Sequence, residues 1–241
     1  MSEAQWLAIA IGNTNIKAAV FQQSECMAEY TYLHTELSSL EASLSPRSYS
    51  QIAIASVVPD LITPWHGLPQ TLSIETSMIP IAGIYATMGV DRALAAWGAG
   101  LTYGYPVLSI DLGTAITLTG LDSTAALVGG AILPGLQSQF HALRANGALL
   151  PEVSISTQLP PRWATDTVAA IQSGVIYGVI ASLQAFIQDW LLAYPDSKIA
   201  ITGGDGKSIA PYIEASIVLD PRLIFWGIRG IWETQIAHTR I

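Results

Sequence analysis

The chain has 241 residues, 51% of them hydrophobic and only 12% charged, with a formal net charge of −8. That charged share is about half of the ~25% usual in globular domains, so much of the surface must hide in a large core or a subunit interface. The acidic balance and the lack of a basic stripe argue against a nucleic-acid partner, and one cysteine, Cys26, excludes an intrachain disulfide and a thiolate zinc site.

Residues 6–11 form a short apolar run ended by Gly12-Asn13-Thr14, which reads as a buried strand entering a turn. The next apolar run, 16–21, makes a hairpin with it. The N-terminus is not expected to be a signal peptide: the first charge is Glu3, and the run 6–11 is shorter than an h-region of roughly 7–15 residues. A weak helix is expected over 37–44, a strand over 51–58 closed by Pro59, and a short strand over 71–74. Residues 91–101 place Ala and Leu at helical spacing, end at Gly100 or Gly104, and would close a first lobe.

The opening pattern then returns. An apolar strand over 107–110 meets Asp111, turns at Gly113-Thr114, and continues as a strand over 115–119. Two matched hairpins suggest two similar lobes facing a cleft, divided as 1–106 and 107–241. Residues 127–135 read as a strand bracketed by glycines, 136–143 as a helix, and 151–162 as a loop. The longest helical pattern spans 166–192, with Gly174 and Gly178 expected to allow close packing. It is no membrane span, because Ser182, Gln184, Gln188 and Asp189 interrupt its apolar surface. The cytoplasm follows as the expected location. A strand over 198–202 precedes Gly203-Gly204-Asp205-Gly206, then come a short helix near 208–212, a strand over 217–219 and an aromatic-bearing helix over 221–238. Strands and helices alternate mainly in the second half, which points to an α/β fold.

Several clusters bear on chemistry, each with a plainer alternative. Gly12-Asn13-Thr14 is either a phosphate-gripping turn or an ordinary hairpin turn. Asp111 beside Gly113-Thr114 is better placed: the acid can hold a cation that neutralises phosphate charge. Glycine lets the backbone approach closely, and the Thr114 hydroxyl can donate to a phosphoryl oxygen. The alternative is a turn-forming Asp. Gly203-Gly204 leave room for adenine and ribose, or form a flexible loop. Asp91-Arg92 can pair a general base with an anion clamp, or be a helix-start acid beside a surface cation. The chain holds no Walker A, no Rossmann fingerprint and no Gly-x-Ser-x-Gly. His34, His66, His141 and His238 match no zinc spacing and read as surface or core residues.

Taken together, these motifs resemble type III pantothenate kinase, of the actin, sugar-kinase and chaperone-ATPase superfamily, over nearly the whole chain. Gly12-Asn13-Thr14-Asn15-Ile16-Lys17 is similar to the first phosphate motif, and Ser56-Val57-Val58-Pro59 to a Ser-Val-Val-Pro segment. Gly89-Val90-Asp91-Arg92 matches Gly-x-Asp-Arg, and Asp111-Leu112-Gly113-Thr114-Ala115 the second phosphate motif. Residues 129–135 resemble the glycine-rich segment that follows, and Thr202-Gly203-Gly204-Asp205 the adenosine motif.

The resemblance implies two ribonuclease-H-like lobes of the actin-like ATPase fold, a homodimer, and the first committed step of coenzyme A synthesis. It implies Asp91 as proton acceptor and Gly89, Val90, Arg92 and Thr167 as contacts to pantothenate. It assigns ATP to Gly12, Asn13, Thr14, Asn15, Lys17, Thr114, Gly203 and Gly204, and a potassium or ammonium ion to Asp111, with Mg2+ on the nucleotide. Two positions depart. The family begins its first motif with Asp, where this chain has Ala10. Its pocket tyrosine lies well upstream of Gly-x-Asp-Arg, whereas Tyr85 is closer. Ala10 keeps open a regulatory protein of the same fold that has lost catalysis. One Arg and one Thr also leave open a kinase for another small hydroxy acid.

Overall fold

β1 (Gln5–Ile11) is apolar on both faces, and every residue after Gln5 is buried. Such a run suits the middle of a sheet covered on both sides. It pairs with antiparallel β2 (Asn15–Gln22) on one side and parallel β4 (Ile52–Ser56) on the other. β3 (Glu25–Leu33) and β5 (Thr71–Ser73) complete a sheet of order β3-β2-β1-β4-β5. The structure, a computed structural model, describes residues 5–44, 48–147, 149–155 and 158–239.

The two faces of β1 have separate partners, as its two-residue alternation requires. Leu7, Ile9 and Ile11 join a core with Leu40 of α1 (Leu37–Leu44) and Trp65 of α2 (Thr63–His66). Trp6 stacks instead on Phe21 at 4.5 Å and on Trp232 of α7 (Leu223–Thr239) at 4.2 Å. Its Nε1 donates to the Gln23 carbonyl at 2.8 Å, so the indole buries its ring without stranding its N–H. α3 (Val90–Tyr103) packs on α7 with backbone against backbone. A Cβ on Gly98 would lie 2.0 Å from the Leu223 carbonyl oxygen, and one on Gly227 would lie 2.2 Å from that of Leu94.

A second sheet repeats this plan. β6 (Val107–Leu112) pairs antiparallel with β7 (Ala115–Leu121) and parallel with β9 (Lys198–Thr202). β8 (Leu127–Pro134) and β10 (Ile217–Leu219) form its edges. Read from β8, the order is β8-β7-β6-β9-β10, strand for strand the order of the first sheet. α4 (Leu136–Asn146), α5 (Thr167–Ala193) and the short α6 (Gly206–Ile209) belong with it. Val175, Ile176, Val179, Ile180, Leu183 and Ile187 of α5 fill its core against Ile110, Leu118 and Ile201. Among the described residues, α5 alone is long and apolar enough to cross a membrane by length and hydropathy.

The chain therefore forms two compact units. One gathers the described residues of 1–103, 125–127 and 222–241, and the other those of 104–124 and 128–221. The sequence reading divides the chain between 106 and 107 and runs the second lobe to 241, whereas α7 packs on α3 in the first unit. One expectation is corrected. Gly174 and Gly178 do not serve close packing within the chain: a Cβ at either meets nothing within 4 Å, because both lie on the exposed face of α5. β3 receives no element in the sequence reading. It is an edge strand whose alternation is only half-buried against exposed, so its apolar signal is weak.

Candidate active site

In the first unit, Gly12-Asn13-Thr14 makes the turn from β1 to β2, closed by Gly12 N–H donating to the Asn15 carbonyl at 2.9 Å. Asn13 and Thr14 are exposed at its tip. Lys17 lies directly across the hairpin from Ala10, and Ala10 is flanked on its other side by Ala55 of β4. Ala10 is only 4% exposed, so the position where the family has an acid is here a small, dry floor. Among the described residues no ion pair holds the Lys17 ammonium.

The turn connects to the Gly89-Val90-Asp91-Arg92 corner through β4. Val57 N–H donates to the Ile11 carbonyl at 3.0 Å, and Val57 Cγ1 approaches the site a Gly89 Cβ would occupy at 4.0 Å. Ser56 Oγ accepts from Val58 N–H at 3.0 Å and tightens the bend. α3 then starts at Val90, putting Asp91 in its first turn, where the helix dipole favours a negative charge. Asp91 Oδ1 accepts from Arg92 N–H at 2.7 Å. A Cβ on Gly89 would stand 2.6 Å from that oxygen, so glycine is what leaves the carboxylate its place. The Arg92 side chain is buried, and its Nη1 donates to the Tyr85 hydroxyl at 2.6 Å. The sequence reading leaves Tyr85 unassigned; its contact with Arg92 spans seven residues across an irregular segment and carries no motif.

In the second unit, Asp111 lies on β6 opposite Thr117 of β7 and Thr202 of β9. The turn that follows is held by backbone. Gly113 N–H donates to the Ala115 carbonyl at 3.2 Å, and the Thr114 carbonyl accepts from Gly135 N–H at 3.1 Å and Ser138 Oγ at 2.9 Å. A Cβ on Gly135 would come within 2.1 Å of the Gly113 carbonyl oxygen. Gly203 adopts φ +94°, and a Cβ there would reach 2.4 Å from both Asp111 Oδ1 and the Leu112 carbonyl oxygen. Asp205 N–H donates to that same Leu112 carbonyl at 3.0 Å, and burial pushes the Asp205 carboxyl above its ordinary range. Asp111, Gly113, Thr114, Gly135 and Gly203 thus share one spot. Gly204 beside it has open space, and Thr167 is an exposed residue opening α5 after its N-cap Asp166.

Chemically, the first unit presents an oriented carboxylate beside a buried guanidinium and an exposed hairpin tip near a lysine. The second presents a carboxylate among backbone carbonyls, a surrounding that suits a hard, oxygen-seeking cation. Among the described residues no group of three or more His, Cys, Asp or Glu side chains gathers as a metal cage.

A family profile described as type III pantothenate kinase matches residues 6–189. The chain is 40% identical to a type III pantothenate kinase of Nostoc sp. over 261 aligned positions, covering 95% of each chain. Its fold is similar to that of a conserved Baf family protein from Campylobacter jejuni, with a TM-score of 0.65 at 23% identity, covering 96% of this chain and 99% of the other. It is also similar to the activator of the 2-hydroxyisocaproyl-CoA dehydratase from Clostridium difficile with ADPNP bound, at a TM-score of 0.57, 12% identity and 98% coverage of both. These likenesses, with the two matched sheets, place the chain in the actin-like ATPase fold.

Proposed function

The chain belongs to the type III pantothenate kinase family, and we infer that it runs that family's reaction on the two groups of residues just described. It phosphorylates pantothenate from ATP to give 4'-phosphopantothenate, in coenzyme A biosynthesis. The observation that carries the assignment of residues is the Asp91 corner. Its carboxylate is fixed by the Arg92 N–H at 2.7 Å over a glycine that leaves it room.

Asp91 orients the pantothenate hydroxyl and accepts its proton as the oxygen attacks the γ-phosphorus. Arg92, steadied by Tyr85, is the proposed grip on the anionic end of pantothenate, with Gly89 and Val90 beside it, and Thr167 is a further proposed contact to that substrate. Gly12, Asn13, Thr14, Asn15 and Lys17 are the proposed contacts to the phosphates, as is Thr114. Gly203 and Gly204 lie against the nucleoside. Asp111 and the carbonyls beside it fit a potassium or ammonium ion, which would offset phosphate charge. Mg2+ fits differently: among the described residues no acid cluster awaits it, so the triphosphate and water would supply most of its shell, as magnesium commonly allows. Rate comes from positioning and charge neutralisation.

The same proposal places the protein in the cytoplasm as a homodimer. Supporting the dimer are large apolar side chains of the second unit left in solvent: Trp163 at 90% exposure, Leu192 at 83% and Ile132 at 65%. Sedimentation across a concentration series tests it, and a monomer at high micromolar concentration would refute it.

A second reading has one observation in its favour. Ala10 removes the family's first acid, which suits a regulator that binds nucleotide without turning it over. ADP release measured with pantothenate, with a panel of hydroxy acids, and with no acceptor separates the readings. Turnover with pantothenate alone supports the kinase, and turnover with none of them supports the regulator.

A further inference from the structure

The tip of the first phosphate turn is clamped from outside its own hairpin. His34 Nε2 lies 2.8 Å from the Gly12 carbonyl oxygen, and since a carbonyl only accepts, the imidazole is the donor. The contact spans 22 residues and is set by the end of β3. Leu33 pairs with Asn15 across the β2–β3 ladder, which brings the following residue to the turn. Leu33 N–H donates to Glu36 Oε2 at 2.7 Å, fixing the 3-10 turn His34–Glu36 on which the histidine sits.

From this we propose that His34 is a positioning residue for the nucleotide's phosphates, acting through the Gly12–Asn13 peptide. A trans peptide is planar, so its C=O and its N–H point in opposite directions. Holding the Gly12 carbonyl on His34 therefore aims the Asn13 N–H the other way, away from the imidazole, at a tip where Asn13 is exposed. A flip of this peptide rotates ψ of Gly12, which glycine leaves unrestricted, and φ of Asn13, and asparagine is among the side chains that best tolerate a positive φ, so little else resists the flip. A flipped peptide would present a carbonyl oxygen where a phosphate needs a donor. The clamp matters more in a chain with Ala10, because no carboxylate at the base of this turn adds a further hold on the nucleotide's magnesium.

The inference rests on the reading of Gly12–Asn15 as a phosphate turn, and the experiment separates the two. His34→Leu removes the donor. His34→Gln keeps one, since a glutamine Nε2 reaches about as far as an imidazole Nε2. For wild type and both variants, kcat, the KM for ATP and the KM for pantothenate are measured, with ATP binding by calorimetry and Tm alongside. His34→Leu should raise the ATP KM and weaken ATP binding about three- to tenfold, the scale of one lost hydrogen bond. Its pantothenate KM should stay within about twofold, and His34→Gln should recover most of the ATP loss. An unchanged ATP KM in His34→Leu overturns the proposal. So does a parallel rise in both KM values, or a Gln variant as impaired as Leu. If His34→Leu fails to fold, the Gln variant decides: ATP affinity near wild type upholds the proposal and a tenfold loss overturns it. If wild type does not phosphorylate pantothenate, the kinase reading fails while calorimetry still tests His34.

Discussion

The hairpin turns of the two units have the same strands around them and are secured by different means. The β6–β7 turn is held by other backbone: Gly135 and Gly203 press against it so closely that neither tolerates a Cβ, and Thr114 and Leu112 give their carbonyls to neighbouring loops. At the β1–β2 turn the Ile11 carbonyl likewise accepts from a neighbouring loop, at Val57 N–H, but among the described residues no glycine presses on the turn, and the Gly12 carbonyl is taken by the side chain of His34. The strands leading in differ as well, with Asp111 on β6 and buried Ala10 on β1. One topology thus carries two different turns. The second is pinned by pressing glycines and carries Asp111, the proposed cation ligand. The first adds a side-chain clamp, and the proposed base, Asp91, comes from a separate helix.

Replacing that acid should have the largest effect. Asp91→Asn keeps the shape and an oxygen for the Arg92 N–H but loses the base, so kcat should fall by about 10²–10⁴. ATP binding by calorimetry should hardly change. Turnover near wild type in the purified variant would remove Asp91 from the role. Next comes the backbone collar of the second unit. Gly203→Ala forces a Cβ to 2.4 Å from Asp111 Oδ1 and the Leu112 carbonyl at a φ of +94°. Strain there should cost about 1–3 kcal/mol of stability. As Asp111 is displaced, the rate difference between potassium and a bulky organic cation should shrink. A fully stable variant with unchanged cation dependence would show that the two loops do not act together.

This contrast also explains what the sequence could disclose. Contacts of backbone on backbone demand glycine, and glycine is visible: Gly113, Gly135 and Gly203 stand in the sequence as punctuation around apolar runs. The central strands are equally legible, because β1 is apolar on both faces and β6 carries Leu108, Ile110 and Leu112 on one. Side-chain contacts between distant segments leave no such mark. His34 reads as an ordinary histidine because its partner is a carbonyl 22 residues away. Tyr85 stays without a role until Arg92 is seen to meet it. Even some glycines mislead. Gly98 and Gly227, which stand out in no motif, let α3 and α7 touch, whereas Gly174 and Gly178 look like packing sites and face open space.

A smaller effect should separate holding a substrate from doing chemistry. Tyr85→Phe deletes the acceptor of the 2.6 Å bond from Arg92 Nη1 and leaves the ring. A bond to a charged group is worth about 1.5–3 kcal/mol, but the tyrosine is 44% exposed and water can replace much of it. The pantothenate KM should therefore rise only about three- to fivefold, with the ATP KM unchanged. Equal changes in both would mean that Tyr85 supports the unit as a whole.

The smallest expected effect tests the difference between Ala10 and Asp111 directly. Ala10→Asp would give the first turn an acid at its base, making the two hairpins alike. The position is 4% exposed, so the new carboxylate enters a dry site and burial opposes it. Lys17 lies directly across the ladder, where cross-strand partners of opposite charge attract, and offsets part of that cost. A Tm a few degrees below wild type is expected. The carboxylate can also hold magnesium on the nucleotide through water, as magnesium keeps several waters and takes few protein ligands. Charge works against it when magnesium is scarce, because a carboxylate repels a bare triphosphate. The gain in apparent ATP affinity should be only a few-fold and should emerge at high magnesium alone. Titrating magnesium at fixed ATP for both proteins, with ATP binding by calorimetry, measures it. No gain at any magnesium level would mean that the first turn has been rebuilt around alanine, with Lys17 and the clamped peptide carrying the phosphates by themselves. If wild type is inert and Ala10→Asp turns over, the loss of that acid has made this chain a nucleotide-binding regulator.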